Sequence, residues 1–203
     1  TENLELYNEL EKGPDAFAML SAHVGNYEMG GYTLVAKSKC IYMLVFGQET
    51  QTVMENRQEQ FGKTNIRMVP VGNGMNHLFA INEALTTGQI LSMTADRRFG
   101  SEKAVPCNFF GAEALFPMGP FATVIQRDVP TLVVLVVKTG TRSYHAVVKR
   151  LPMPESHLPR KERIALLAQA YANELENVVR QYPEQWFNFF NIWTTTTCHS
   201  PKQ

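Results

Sequence analysis

Three runs of uninterrupted apolar residues constrain this chain most: 16–20, 41–46 and 132–137. All are far shorter than the roughly 20 residues that a membrane-spanning helix needs. Each reads instead as a strand buried on both faces, the kind found in parallel sheets with helices packed above and below. The order of signals agrees. Strands are expected near 16–22, 40–46, 65–71 and 89–95, with helical stretches near 26–38, 50–62 and 74–87, the last closed by Gly88. The expected fold class is therefore α/β, a central, mostly parallel sheet covered by helices on both faces.

The remainder of the chain fits this plan. A short amphipathic helix from Asn3 to Lys12 is ended by Gly13-Pro14, and a polar loop after Arg97 leads into a hairpin, 104–110 against 112–116, with Gly111 at its turn. Gly119-Pro120 opens a helix near 120–127, and strands follow near 131–138 and 143–150. In the last helix Ile164, Leu167, Ala168, Tyr171, Ala172, Leu175, Val178, Val179 and Tyr182 form one apolar stripe, read as core packing. A length of 203 residues suits a single domain over 1–203. Thr1 is not a natural start, so the sequence reads as a piece of a longer protein. Nineteen basic and nineteen acidic residues cancel, which removes any global field for nucleic acid and confines membrane contact to local patches. Cys40, Cys107 and Cys198 are odd in number and far apart, which fits reduced thiols in a cytosolic compartment and gives no metal-ligand spacing.

In sheets of this kind, sites gather at the carboxyl ends of the strands. His23 follows the first strand and Asp96 the fourth. Around His23 the sequence runs Ser-Ala-His-Val-Gly-Asn-Tyr-Glu, and on a continuous helix His23 and Glu28, five apart, would diverge by roughly 140°. They can meet only across a bend, which Gly25 permits and which Asn26, a preferred N-cap, would close by starting a helix. Two readings follow from this spacing. Glu28 is a capping carboxylate beside a hydrogen-bonded histidine, or it orients His23 as a general base. Asp96 likewise is a second site carboxylate or a loop acid paired with Arg97 or Arg98. Without a Gly-x-Ser-x-Gly elbow or a cysteine beside a histidine, no covalent enzyme intermediate is implied. Backbone N–H groups near Gly25 or Gly119 are candidates to hold an oxyanion.

His23 and Glu28, with Thr94-Ala95-Asp96-Arg97-Arg98-Phe99-Gly100, the Met118-Gly119-Pro120 helix start and Tyr182-Pro183-Glu184-Gln185-Trp186, resemble in order the lipid A late acyltransferases (lauroyl/myristoyl acyltransferases) of the glycerolipid acyltransferase superfamily, in the His-x4-Glu form of its motif. The resemblance implies transfer of a fatty acyl group from an acyl-carrier protein or coenzyme A thioester to a hydroxyl or amine of a lipid acceptor; no cofactor or metal is expected. It gives catalytic roles to His23, Glu28 and Asp96, although Arg98 stands where the family often has another acid. It puts Arg57, with Arg67 as a rival, near the family's phosphate-binding arginine; Arg97, Arg98 and Gly119 complete the substrate-binding candidates. It also implies a peripheral position at the cytoplasmic face of the inner membrane and contact with the membrane surface. The aromatic segment from Trp186 to Trp193 reads either as part of that contact or as a core anchor. A thioesterase using the same pair to activate water, and a non-catalytic lipid-binding module, are the alternatives.

Overall fold

The computed structural model describes residues 3–26, 34, 36–46, 64–72, 74–98 and 102–194. Helix α1 (Leu4–Lys12) leads into β1 (Phe17–Ser21), and β2 (Ile41–Phe46) and β3 (Ile66–Val71) follow. Then come α2 (Asn76–Thr86), β4 (Ile90–Thr94), the hairpin β5 (Ala104–Phe109) and β6 (Ala112–Pro117), and α3 (Met118–Arg127). The chain closes with β7 (Thr131–Lys138), β8 (Tyr144–Arg150) and the long helix α4 (Arg160–Gln181). Six strands form one sheet in the order β3-β2-β4-β1-β7-β8, parallel throughout except for β8, which returns antiparallel beside β7. The expected α/β class is the observed one.

Alternation along β1 shows why the sheet needs cover on both sides. Phe17 and Met19 face a cluster with Tyr7 of α1, whose ring meets Phe17 edge-on at 6.0 Å, while Ala18 and Leu20 face the larger cluster beneath α2, α3 and α4. With period-two side chains, a strand that is apolar at every position is stable only when both faces are buried. Leu20 and Phe17 are fully enclosed, each contributing about 2 kcal/mol. The stripe on α4 is buried at eight positions from Ile164 to Val179, against the hairpin, α3 and β7.

Three boundaries differ from the sequence reading, each for a local reason. Helix α3 begins at Met118, so Pro120 lies inside its first turn, where an amide hydrogen has no intrahelical partner to lose. The hairpin turns through Phe110 and Gly111, at φ of 55° and 80°, the pair of positive angles that a two-residue turn of matching twist requires. Glu176 of α4 accepts the Phe110 N–H at 2.6 Å and secures that conformation. The helix expected near 26–38 does not include 36–38, because the Lys37 and Ser38 N–H groups are bonded to the buried carboxylate of Glu11 at 2.7 and 2.5 Å. The helix expected near 50–62 lies outside the described residues.

Candidate active site

Parallel pairing of β1 with β4 builds the site. The register sets Ser21 opposite Thr94, and the Ala95 N–H bonds the Ser21 carbonyl at 3.0 Å, so the next positions, His23 and Asp96, emerge side by side. Asp96 is 1% exposed. Its Oδ1 lies 2.8 Å from His23 Nδ1, and its Oδ2 accepts the His23 backbone N–H at 2.9 Å and the Trp186 indole N–H at 3.3 Å. An ionised carboxylate only accepts, so the His23 proton resides on Nδ1 and the ring's lone pair on Nε2. The His23 side chain keeps 14% exposure. A buried acid, a fixed tautomer and a partly open imidazole are what a general base requires.

The turn after His23 is held from two sides. Val24 bridges Trp186 in antiparallel fashion, with the Phe187 N–H on the His23 carbonyl at 2.9 Å and the Gly25 N–H on the Gln185 carbonyl at 2.7 Å. Asn26 donates its N–H to the Val136 carbonyl at 3.0 Å. Gly25 stands at φ 59°, and a side chain there would overlap the Val136 carbonyl oxygen. The glycine is therefore required both by angle and by space. Below the pair, the Tyr171 hydroxyl donates to the Ser21 carbonyl at 2.8 Å. Its burial, and then the charge of Asp96, push its pKa well above the ordinary value, so it remains a donor.

Of the residues singled out by sequence, the described structure brings together His23 and Asp96. Glu28 and Arg57 lie outside the described residues. Arg97 does not pair with Asp96: its Nη2 donates to the Phe187 carbonyl, its guanidinium lies 5.6 Å from the centre of the Phe190 ring, and its Nε is buried without a hydrogen-bond partner. Arg98 is exposed. Among the described residues the loop-acid reading of Asp96, paired with either arginine, is not what is found.

Arg67 sits at the amino end of β3, opposite Tyr42 and so level with Leu91. That is five residues short of Asp96, roughly 16 Å along the strand direction. It is engaged with Glu83 at 3.0 Å and with the Tyr42 hydroxyl at 3.2 Å. Gly119 is in the first turn of α3, with no contact that joins it to His23 among the described residues. The Gly25 N–H is already spent on Gln185, which removes that amide as an oxyanion donor.

Trp186 and Tyr171 are the supporting residues that sequence reasoning did not assign to the site. Trp186 was visible as the end of the Tyr182–Trp186 motif and as part of the aromatic segment, with no role assigned to it, and Tyr171 only as one position of an apolar stripe. The segment itself divides. Trp186 and Trp193 pack around Phe109 at 5.4 and 6.2 Å, whereas Phe187, Phe189 and Phe190 are exposed. A cavity of about 540 Å³ lies beside the turn, lined by Gly25, Asn26, Lys138, Tyr144, Gln185 and Phe187 among others. Cys107 is no rival nucleophile, since burial pushes its thiol up to about 12.

A mostly parallel α/β sheet with a histidine–carboxylate pair at the carboxyl ends of adjacent strands defines the class of this protein. The family model for bacterial lipid A biosynthesis acyltransferases matches residues 1–195, and the chain belongs to that family: it is an acyltransferase acting on a lipid acceptor. No curated protein matches the chain.

Proposed function

We propose that the chain moves a fatty acyl group from an acyl-carrier protein or coenzyme A thioester to a hydroxyl or amine of a lipid A precursor, with His23 as the general base. The observation that carries this reading is the 2.8 Å contact between Asp96 and His23 Nδ1, which turns the Nε2 lone pair into the ring's proton acceptor. Nε2 takes the acceptor's proton as its oxygen or nitrogen attacks the thioester carbonyl. The tetrahedral intermediate then collapses, the C–S bond breaks, and the imidazolium returns the proton to the departing thiolate. Such a base contributes about 10²- to 10⁴-fold in rate.

Asp96 holds the tautomer and offsets the charge of the imidazolium. Glu28 is assigned a supporting role at this site by the His-x4-Glu motif alone. The domain works peripherally at the cytoplasmic face of the inner membrane. Phe187, Phe189 and Phe190, 45%, 84% and 62% exposed and joined through Phe187 to the His23 turn, support delivery of a lipid acceptor to that side. The test is to follow lauroyl-coenzyme A breakdown with and without a lipid A precursor while weighing the products by mass spectrometry. Acylated precursor is expected; free fatty acid formed at the same rate in both conditions would show a thioesterase instead.

A further inference from the structure

We propose that Trp186 is a positioning residue of this centre: its indole N–H holds Asp96 Oδ2 so that Oδ1 is presented to His23 Nδ1. The inference rests on the reading of His23 as the base. The indole is itself fixed. Its ring meets Phe109 and Trp193 at 5.4 and 6.4 Å, nearly edge-on, and its backbone bridges Val24, next to the histidine. The preceding Gln185 anchors the segment through both side-chain atoms, Oε1 accepting the Lys138 N–H and Nε2 donating to the Lys138 carbonyl, each at 2.8 Å. A residue with only a packing role would not need its one polar atom on the buried carboxylate that orients the histidine.

The consequence concerns basicity as well as geometry. A donor on Oδ2 draws negative charge away from Oδ1. Without it the carboxylate stabilises the imidazolium more strongly, His23 holds its proton to higher pH, and less of it is in the basic form near neutrality. Charged and titratable groups near the pair include the Tyr171 hydroxyl on α4, which feels the charge of Asp96, and Arg97 on the loop after β4; Lys138 and Glu184 line the cavity beside the neighbouring turn. Trp186→Phe leaves all of them in place and retains an aromatic ring against Phe109.

The experiment compares Trp186→Phe, Trp193→Phe and His23→Ala in the full chain, using lauroyl-coenzyme A and a lipid A precursor as probes. Trp193 is the control, because its indole N–H goes to the Phe109 carbonyl at 3.1 Å and not to Asp96. For Trp186→Phe, kcat should fall about tenfold, the scale of one hydrogen bond to a charged group. KM should hold, and the acidic limb of the pH profile should move to higher pH. Trp193→Phe should leave that limb where it is. An unshifted limb in Trp186→Phe, or the same change in both variants, overturns the proposal.

A second measurement does not depend on how Trp186→Phe folds. The chain has two tryptophans, so the indole N–H signals of the wild type are two. The Trp186 signal should titrate with His23 and cease to do so in His23→Ala, and a signal that ignores that titration would also overturn the proposal. Full activity in His23→Ala would sink the general-base reading, whereas an inactive His23→Ala beside an unaffected Trp186→Phe would sink this inference alone.

Discussion

Replacing Asp96 with asparagine preserves shape and should nonetheless invert the histidine. Oδ2 receives two N–H groups, from the His23 backbone at 2.9 Å and from Trp186 at 3.3 Å, while Oδ1 receives one, from Nδ1 at 2.8 Å. An amide has one acceptor and one donor end. Its NH₂ placed at the Oδ2 position would oppose two donors, so the amide oxygen should settle there and the NH₂ should face Nδ1. Nδ1 must then accept, which puts the ring's proton on Nε2, where the base is needed. The whole general-base contribution is at stake, about 10²- to 10⁴-fold or ~3–5 kcal/mol in the barrier, with KM for the donor little changed. Initial rates with saturating lauroyl-coenzyme A would measure the loss, and imidazole nitrogen shifts in labelled protein would report the tautomer. A folded Asp96→Asn enzyme working within about threefold of wild type, or one that keeps its proton on Nδ1, would refute this reasoning.

Other consequences are simpler to state. Gly25→Ala must place a non-glycine residue at φ 59° with its side chain against the Val136 carbonyl; about 1–2 kcal/mol for the angle and about 1–3 for the overlap predict a loss of about 2–5 kcal/mol in denaturant melts. A cost below about 1 kcal/mol would show that the turn can move aside. Burial opposes the charge of Glu11, but the Ser38, Lys37 and Lys39 amides outweigh it and hold the group below its ordinary 4.5. Its stabilisation is thus complete above that value and lost as pH falls through the depressed folded-state value. Glu11→Gln should cost about 2 kcal/mol at pH 7 and flatten the acid side of the stability curve; an unchanged acid slope would contradict the assignment. Phe187→Ser with Phe189→Ser should weaken co-sedimentation with lipid vesicles while leaving the melting temperature near wild type, and the wild-type binding should change little between low and high salt, because apolar burial is not screened. Binding that collapses as salt rises would point to a basic footprint instead.

The sequence disclosed the layers of this molecule better than its neighbourhoods. Apolar runs such as 132–137 carry their own evidence, since a strand that is apolar at every position must be covered twice, and the positions of His23 and Asp96 just past strand ends followed from local patterns. That β1 and β4 are adjacent is another matter. Strand order is set by long-range packing with no local signature, so the sequence offered Asp96 as a candidate in its own right but not as the group on His23 Nδ1, where the register sets it from 73 residues away. Arg67 stood as a rival to Arg57 through the family resemblance, yet Glu83 and Tyr42 meet it at the amino end of the sheet. The place of Trp186 beside Asp96 was obscured for a similar reason. The helical stripe stops at Tyr182, and the short turn over Pro183–Gln185 redirects the chain into a bridge with Val24 that no periodicity announces. Tyr171 was legible as core and is core; only its hydroxyl, reaching Ser21, ties it to the site.

The central claim is that one imidazole removes the acceptor's proton. The single-turnover rate of lipid acylation in His23→Ala tests it most directly, measured with donor and acceptor both prebound so that binding does not enter the rate. The variant should fold as wild type does, because the ring lies past the end of β1 and outside both core clusters. Its rate should drop by at least about 10²-fold and lose its dependence on pH through the imidazole range. A folded His23→Ala protein that retains more than about a tenth of the wild-type rate would contradict the account.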